Sequence, residues 1–140
     1  MTLELKELLE SLEQSYLSLQ TLSSSIYDTQ ANPLQTEIIN YLGENENQTV
    51  PQISHFKQCS RQNIQIVINE LLTLGIIIKK TNPRHQRSVI YKLSNIGYIV
   101  FKHNKKAHDS FLGELSTNFD SQELQSATKT LNKLNEVLKK

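Results

Sequence analysis

A leucine repeat at heptad spacing occurs near each end of the chain, and these two repeats restrict the possible folds more than any other feature. A sustained heptad stripe predicts a helix that buries the stripe against another helix. Two stripes in a chain of 140 residues favour dimerisation through the termini, although the two helices could also pack together within one chain. The apolar positions are Leu5, Leu8, Leu12, Leu19, Leu22 and Ile26 in a predicted helix over 3–26, and Leu124, Ala127, Leu131, Leu134 and Leu138 near the C-terminus.

The composition limits the classes of protein to be considered. At 140 residues the chain is predicted to form one domain. Its apolar runs, such as LGIII over 74–78, are too short to span a bilayer, so no membrane partner is expected. The acidic, amphipathic first residues resemble neither a secretory signal nor a transit peptide. The single cysteine, Cys59, excludes an internal disulfide framework and favours a reducing cytoplasm.

Positive charge is concentrated in the middle of the chain, although the formal net charge is only +1. Residues 51–106 contain ten lysines and arginines and a single acid, Glu70, whereas residues 1–50 contain eight acids and a single base, Lys6. A basic block almost free of acids predicts a surface that binds a polyanion. A merely solvated basic surface is the simpler alternative, and the size of the local excess disfavours it.

The segment between the heptad repeats has the element order of a winged helix-turn-helix. A short helix is predicted to end at Gly43, and the capping residues Thr49 and Ser60 then mark the starts of two further helices. Gly75 is placed to end the third of these helices. Two β-branched runs that follow predict a hairpin, and Ser94 is a candidate cap for the next helix. The predicted fold is mainly α with a small β-hairpin wing and helical extensions at both ends.

This element order indicates which residues would contact DNA. In a helix-turn-helix, the second helix enters the major groove with its N-terminal residues facing the base edges. A hairpin that follows it reaches phosphates or the minor groove, where a narrow groove attracts arginine. The predicted DNA-binding residues are Arg61, Gln62, Asn63, Gln65 and Ile66 on the helix, and Lys79, Lys80, Arg84, His85 and Arg87 on the hairpin.

Non-functional explanations are also possible for several residues whose side chains could bind DNA, sense oxidants or bind metal. The helix amides could be ordinary solvated side chains, and the hairpin arginines could only increase solubility. Cys59 is interpreted as a small buried thiol rather than an oxidant sensor. His103 and His108 are interpreted as surface residues rather than metal ligands, because their spacing does not place both rings on one helical face. No catalytic constellation or nucleotide-binding motif is recognisable, so neither enzymatic activity nor a cofactor is predicted.

Two stretches resemble the MarR family, the multiple-antibiotic-resistance type of winged-helix regulators. The middle of that family is similar to residues 49–80, TVPQISHFKQCSRQNIQIVINELLTLGIIIKK. Its wing is similar to residues 82–97, NPRHQRSVIYKLSNIG, in which LSNIG stands where the family has LT..G. The resemblance covers residues 34–100 well, while the terminal helices agree in position and heptad character only.

The resemblance implies an obligate homodimer built from the terminal helices. Its two recognition helices and two wings would bind a pseudo-palindromic operator in double-stranded DNA, generally for repression. Many members release DNA when a small, often phenolic, effector binds between the dimer helices and the winged domain. We therefore expect a single domain, 1–140, in which 1–32 and 98–140 are dimerisation helices and 33–97 is the DNA-binding region.

The sequence departs from the family pattern at the wing and on the recognition helix. The common wing signature is Asp-x-Arg, in which the Asp braces the loop, and the chain has His85 and Arg87 at those positions. The minor-groove role therefore carries over to Arg87, while the bracing role does not carry over to His85. Ile66 stands where many members have Arg or Lys, and it could contact a thymine methyl instead. A winged-helix module that binds protein through the same face is the alternative function.

Overall fold

The computed structural model describes residues 2–27, 32–85 and 87–140, without the side chains of residues 23–27. The side chain of Ile26, the last position of the N-terminal stripe, therefore lies outside the described residues. The described residues form six helices and an antiparallel hairpin, which confirms the predicted mainly helical, winged helix-turn-helix fold. The elements are α1 (Thr2–Tyr27), α2 (Pro33–Glu44), α3 (Val50–Lys57), α4 (Arg61–Thr73), β1 (Ile77–Thr81), β2 (Val89–Leu93), α5 (Asn95–Ser116) and α6 (Ser121–Leu138).

Side-chain caps set the starts of the helices that form the helix-turn-helix. Thr49 caps α3 in a reciprocal capping box, and the Ser60 hydroxyl accepts a backbone hydrogen bond from the first turn of α4. Both caps are as predicted, and Asn32 caps α2 in the same reciprocal way. Between α3 and α4, Gln58 adopts the left-handed conformation with φ 53°, which turns the chain sharply. The start of α4 is thereby fixed relative to α3.

Helix α2 ends later than the sequence predicts. Gly43 was expected to end the helix, but the helix continues to Glu44 and Gly43 lies in its last turn. A Cβ atom at Gly43 would overlap the aromatic ring of Phe101 in α5. The glycine is therefore explained by close packing between two helices and not by termination of the first.

One hydrophobic core joins α2, α3 and α4 to the hairpin. The apolar face predicted for α4 lies in this core, since Ile64 and Ile68 are fully buried and Leu71 is 1 % exposed. Burial of this face leaves the opposite face of α4 at the protein surface. The buried apolar residues of the core are Ile38, Ile39, Leu42, Ile53, Ile64, Val67, Ile68, Leu71, Ile77, Tyr91 and Leu93.

The hairpin is attached to the helix-turn-helix by backbone hydrogen bonds. Within the hairpin, Ile77 pairs with Leu93 in antiparallel register. Gln48, which precedes the cap of α3, exchanges both backbone hydrogen bonds with Tyr91 of β2, with N–O distances of 3.0 and 2.8 Å. The segment that leads into α3 therefore forms a very short third strand beside the wing.

The chain divides into two compact units, residues 1–107 and residues 108–140. In the second unit, Asp120 caps α6, and its carboxylate accepts a hydrogen bond from the backbone N–H of Glu123 at 2.8 Å. The leucine stripes are largely exposed within their own units, with Leu12 37 % and Leu124 45 % exposed. Among the described residues, no helix combines the length and the apolar character needed to cross a membrane.

Candidate nucleic-acid interface

The exposed side of α4 carries the five residues of this helix that were predicted to contact DNA. Arg61, Gln62 and Asn63 form the first helical turn, and all three are exposed. Ile66 is 51 % exposed, so its side chain points away from the core as expected. Gln65 is half-buried. An arginine, three amides and one apolar side chain are therefore presented along the N-terminal half of this helix.

The side-chain amide of Gln65 is held by a neighbour on the same helix. Its Nε2 atom donates a hydrogen bond to the Oδ1 atom of Asn69 at 3.0 Å. Because a primary amide carries two hydrogens, this bond leaves one N–H and the carbonyl oxygen of Gln65 for other partners. Asn69 is exposed and was absent from the predicted contact residues. Its spacing of seven residues from Gln62, on the same helical face, was the available signal.

The single acid of the basic block is occupied by a contact with α2. The Oε2 atom of Glu70 accepts a hydrogen bond from the Nε2 atom of Gln35 at 2.7 Å. The other end of the Gln35 amide, Oε1, accepts the backbone N–H of Asn32 at 3.3 Å as part of the capping box. The carboxylate of Glu70 is therefore engaged with α2 and does not interrupt the row of amides on α4.

The tip of the wing is braced by a polar network. Asn82 Nδ2 donates to the Ser88 hydroxyl at 2.8 Å, and Asn82 Oδ1 accepts the backbone N–H of Arg84 at 3.0 Å. The backbone carbonyl of His85 accepts the backbone N–H of Ser88 at 3.0 Å. The side chains of Arg84, His85 and Arg87 are exposed. Asn82 and Ser88 therefore brace the tip of the wing, and sequence reasoning did not identify them.

The two lysines of the wing extend from opposite faces of the hairpin. Lys79 pairs with Tyr91 and Lys80 pairs with Ile90 across the hairpin, and both lysines are exposed. Successive side chains of a strand point to opposite faces. The two lysines therefore extend from opposite faces of the wing, Lys79 at the middle of β1 and Lys80 one residue nearer the tip.

A groove of about 510 Å³ lies between the wing and the helices, and it brings together residues that were predicted separately. Gln65 of α4 and His85 of the wing tip both line it. The floor and walls are completed by side chains from the start of α3 and from β2, namely Thr49, Val50, Pro51, Ser88, Val89 and Tyr91. The recognition helix and the wing thus present one continuous surface.

The turn before α4 contains a thiol and a lysine that is already paired. Cys59, which was predicted to be a small buried thiol, is half-buried, and its Sγ atom lies 3.6 Å from the carbonyl oxygen of Lys57. The ammonium group of Lys57 forms an ion pair with Glu37 of α2 at 3.0 Å. Lys57 therefore contributes less to the basic surface than its sequence position suggests. In the described part of the chain, no group of three His, Cys, Asp or Glu side chains is placed to hold a metal ion.

Comparison of the sequence with family models and with curated proteins found no match. Solved structures do match over almost the whole chain. A MarR family transcription regulator is 25 % identical, with a TM-score of 0.82, over 99 % of this chain and 94 % of that one. Staphylococcus aureus MarR, in complex with salicylate and kanamycin, is 15 % identical with a TM-score of 0.86, over 97 % and 93 %. Streptococcus pneumoniae FabT, in complex with DNA, is 17 % identical with a TM-score of 0.77, over 99 % and 98 %.

Proposed function

Because the chain has the winged helix-turn-helix fold of the MarR family transcription regulators, we propose that it is a transcription regulator that binds double-stranded DNA. The observation that supports this most directly is the shared surface of α4 and the wing. Gln65 of α4 and His85 of the wing tip line one groove, and the arginines and amides next to them in sequence are exposed. Such a combination suits base edges and phosphates.

In the proposed complex, α4 lies in the major groove and the wing contacts the flanking DNA. Arg61 would anchor a phosphate, and Gln62, Asn63 and Gln65 would face base edges. Arg87, with its neighbours Arg84 and His85, would approach the minor groove, while Lys79 and Lys80 would contact phosphates. FabT, whose fold is similar, was solved in complex with DNA, and this supports DNA binding by the present chain.

The side chains of α4 favour a site rich in A·T pairs. Amides pair best with the N6 and N7 atoms of adenine, and the exposed Ile66 would contact the methyl group of thymine. Arg61 is the only arginine of this helix, so guanine has at most one candidate reader. We therefore propose an A·T-rich pseudo-palindrome with half-site centres about 10 bp apart.

The exposed leucine stripes support a homodimer. Leu12 of α1 and Leu124 of α6 each expose more than a third of their surface, which favours burial against a second copy. Residues 1–32 and 98–140 would form this dimerisation region, and 33–97 the DNA-binding region. A dimer bound to its operator would repress transcription by excluding the transcription machinery from that DNA. The protein would act in the cytoplasm. Release by a small-molecule effector is proposed by similarity to S. aureus MarR in complex with salicylate and kanamycin.

Selection of bound sequences from random DNA tests the proposal. The expected result is an A·T-rich sequence with two-fold symmetry, bound with a steep dependence on salt. Lys79→Ala should weaken binding to all sequences alike, whereas Lys133→Ala in α6 is the matched control and should change nothing. Selected sites that are G·C-rich in the major-groove half-sites would contradict the proposed readout. Absence of any enriched sequence, together with salt-independent binding, would instead support a module that binds protein.

A further inference from the structure

We propose that Asn69 determines sequence specificity by positioning the amide of Gln65 for adenine. This inference rests on the proposed DNA-binding function and extends it to a residue that need not touch DNA. Its basis is the 3.0 Å hydrogen bond from Nε2 of Gln65 to Oδ1 of Asn69, one helical turn away on the exposed face of α4.

The bond leaves on Gln65 the two groups that reading of adenine requires. Adenine presents N7 as an acceptor and N6–H as a donor in the major groove. One N–H of a glutamine amide can donate to N7, and its carbonyl oxygen can accept the N6–H. A primary amide has one hydrogen beside its oxygen and one on the opposite side. Bidentate reading uses the oxygen and the first hydrogen, so the second is available to Asn69. Both interactions can therefore exist at the same time.

Asn69 also favours one of the two orientations of the Gln65 side-chain amide. A half-turn of the Gln65 amide exchanges its donor and its acceptor, and the exchanged amide would place like groups against N6 and N7 of adenine. In this structure Asn69 directs Oδ1 towards Gln65, and because this oxygen only accepts hydrogen bonds, it favours the orientation in which Nε2 of Gln65 faces it. Gln65 is also half-buried in the groove between α3 and the wing, which limits its other rotamers. The side chain is thereby ordered before DNA binds, which lowers the entropy cost of the contact.

The competing interpretation is that the Gln65–Asn69 bond only stabilises α4. Pairs four residues apart on a helix surface contribute little to stability, about 0.2–0.5 kcal/mol. A purely structural bond of that size would leave the preference among DNA sequences unchanged. The ratio of affinities for two sequences therefore separates the two interpretations, whereas the affinity for one sequence does not.

The experiment uses the full chain and two DNA duplexes. One duplex carries the selected site. The other carries a substitution at a single base pair, namely the one at which the Gln65→Ala variant no longer shows the preference of the wild type. We expect Asn69→Leu, which is similar in size but cannot accept a hydrogen bond, to reduce the ratio of the two affinities by about 3- to 10-fold. Asn69→Asp keeps an acceptor oxygen and should retain the ratio, although its negative charge weakens binding to both duplexes. Thr73→Ser, one turn further along the same helix, keeps the hydroxyl that donates to the backbone carbonyl of Asn69, so it is the matched control and should retain both the ratio and the affinity.

A double substitution strengthens the test. Gln65→Ala combined with Asn69→Leu should lower the ratio no further than Gln65→Ala alone, because Asn69 acts through Gln65. If Asn69→Leu keeps the wild-type ratio, or weakens both duplexes equally, the inference is wrong while the proposed function stands. A wild-type protein that prefers no sequence would overturn the proposed function, and this inference with it. Thermal unfolding of each variant establishes that the comparison is made between folded proteins.

Discussion

The Tyr98 hydroxyl donates a hydrogen bond to the carboxylate of Glu46, which joins the start of α5 to the turn between α2 and α3. The hydrogen bond to Glu46, together with partial burial and the negative charge of Glu46, raises the pKa of Tyr98. In the same turn, the hydroxyl of Tyr41 donates to Oε1 of Gln48 at 2.9 Å. The turn that leads into α3 is therefore held by side chains from both α2 and α5.

Tyr98→Phe is expected to lower the free energy of unfolding by about 1 kcal/mol at most, because the lost hydrogen bond lies near the surface. Since the pKa of Tyr98 is raised in the folded state, the hydrogen bond contributes fully to stability at pH values below 10.0, the ordinary pKa of tyrosine. It is lost as the pH rises through the raised pKa. Urea denaturation at neutral pH and above pH 10.0 should show a difference between wild type and variant that shrinks at the higher pH. A difference that grows with pH would contradict the assignment.

Two glycines in helices should respond oppositely to alanine. Gly43→Ala places a methyl group against the ring of Phe101 and should destabilise the fold by about 1–3 kcal/mol. Gly113→Ala in α5 meets no atom within 4 Å and should stabilise it by about 0.5–1 kcal/mol, because alanine favours helix. Chemical denaturation of both variants measures the two effects in one protein.

A second substitution tests the cause of the Gly43 effect. In a Phe101→Leu background, Gly43→Ala should cost less than it does in the wild type, because the planar ring that it would overlap is gone. An equal cost in both backgrounds would mean that something other than the ring of Phe101 requires glycine at this position.

These glycines and caps illustrate how much of the fold the sequence contains. The caps at Thr49 and Ser60 could be predicted because a cap depends only on residues three positions apart. The role of Gly43 could not, because it depends on a ring that is distant in sequence and arrives only when α5 packs on α2. Local chemistry therefore predicted where most helices begin, whereas long-range packing explains why residue 43 is a glycine.

The candidate site likewise combines features that the local sequence predicts with features that depend on the folded structure. The exposed row on α4 and the charged wing tip followed from periodicity and charge, because both are properties of short segments. The bond between Gln65 and Asn69 depends on which rotamers the surrounding groove permits. The bracing of the wing by Asn82 and Ser88 depends on the conformation of the loop. Neither can be recognised from residue type alone.

Arg87→Ala should weaken DNA binding with little loss of stability, because an exposed side chain at a loop tip buries little surface. Loss of one phosphate neutralisation should reduce the slope of log affinity against log salt by about one unit. Titration of fluorescent DNA at several salt concentrations measures this slope. Lys129→Ala in α6 is the control and should leave it unchanged, and an unchanged slope for Arg87→Ala would remove Arg87 from the interface.

Leu12→Asp combined with Leu131→Asp should yield monomers that bind DNA poorly, because each change places a charge in a leucine stripe. Light scattering at micromolar concentration measures the molar mass. Gln14→Asp introduces the same charge in α1 at an exposed position outside the stripe, and it should remain dimeric. A monomeric wild type would contradict the proposed architecture directly.

The pair of backbone hydrogen bonds between Gln48 and Tyr91 has a consequence for the DNA that the proposed regulator can use. These bonds tie the wing to the start of the helix-turn-helix, so the distance between the proposed major-groove and flanking contacts would be fixed within each subunit. In the proposed dimer, the separation of the two half-sites would depend instead on the helices that join the subunits. One base pair inserted within a half-site should therefore abolish recognition more completely than one inserted at the centre of symmetry. The length of each half-site would therefore be fixed by one subunit, and only the spacing at the centre of the operator could vary.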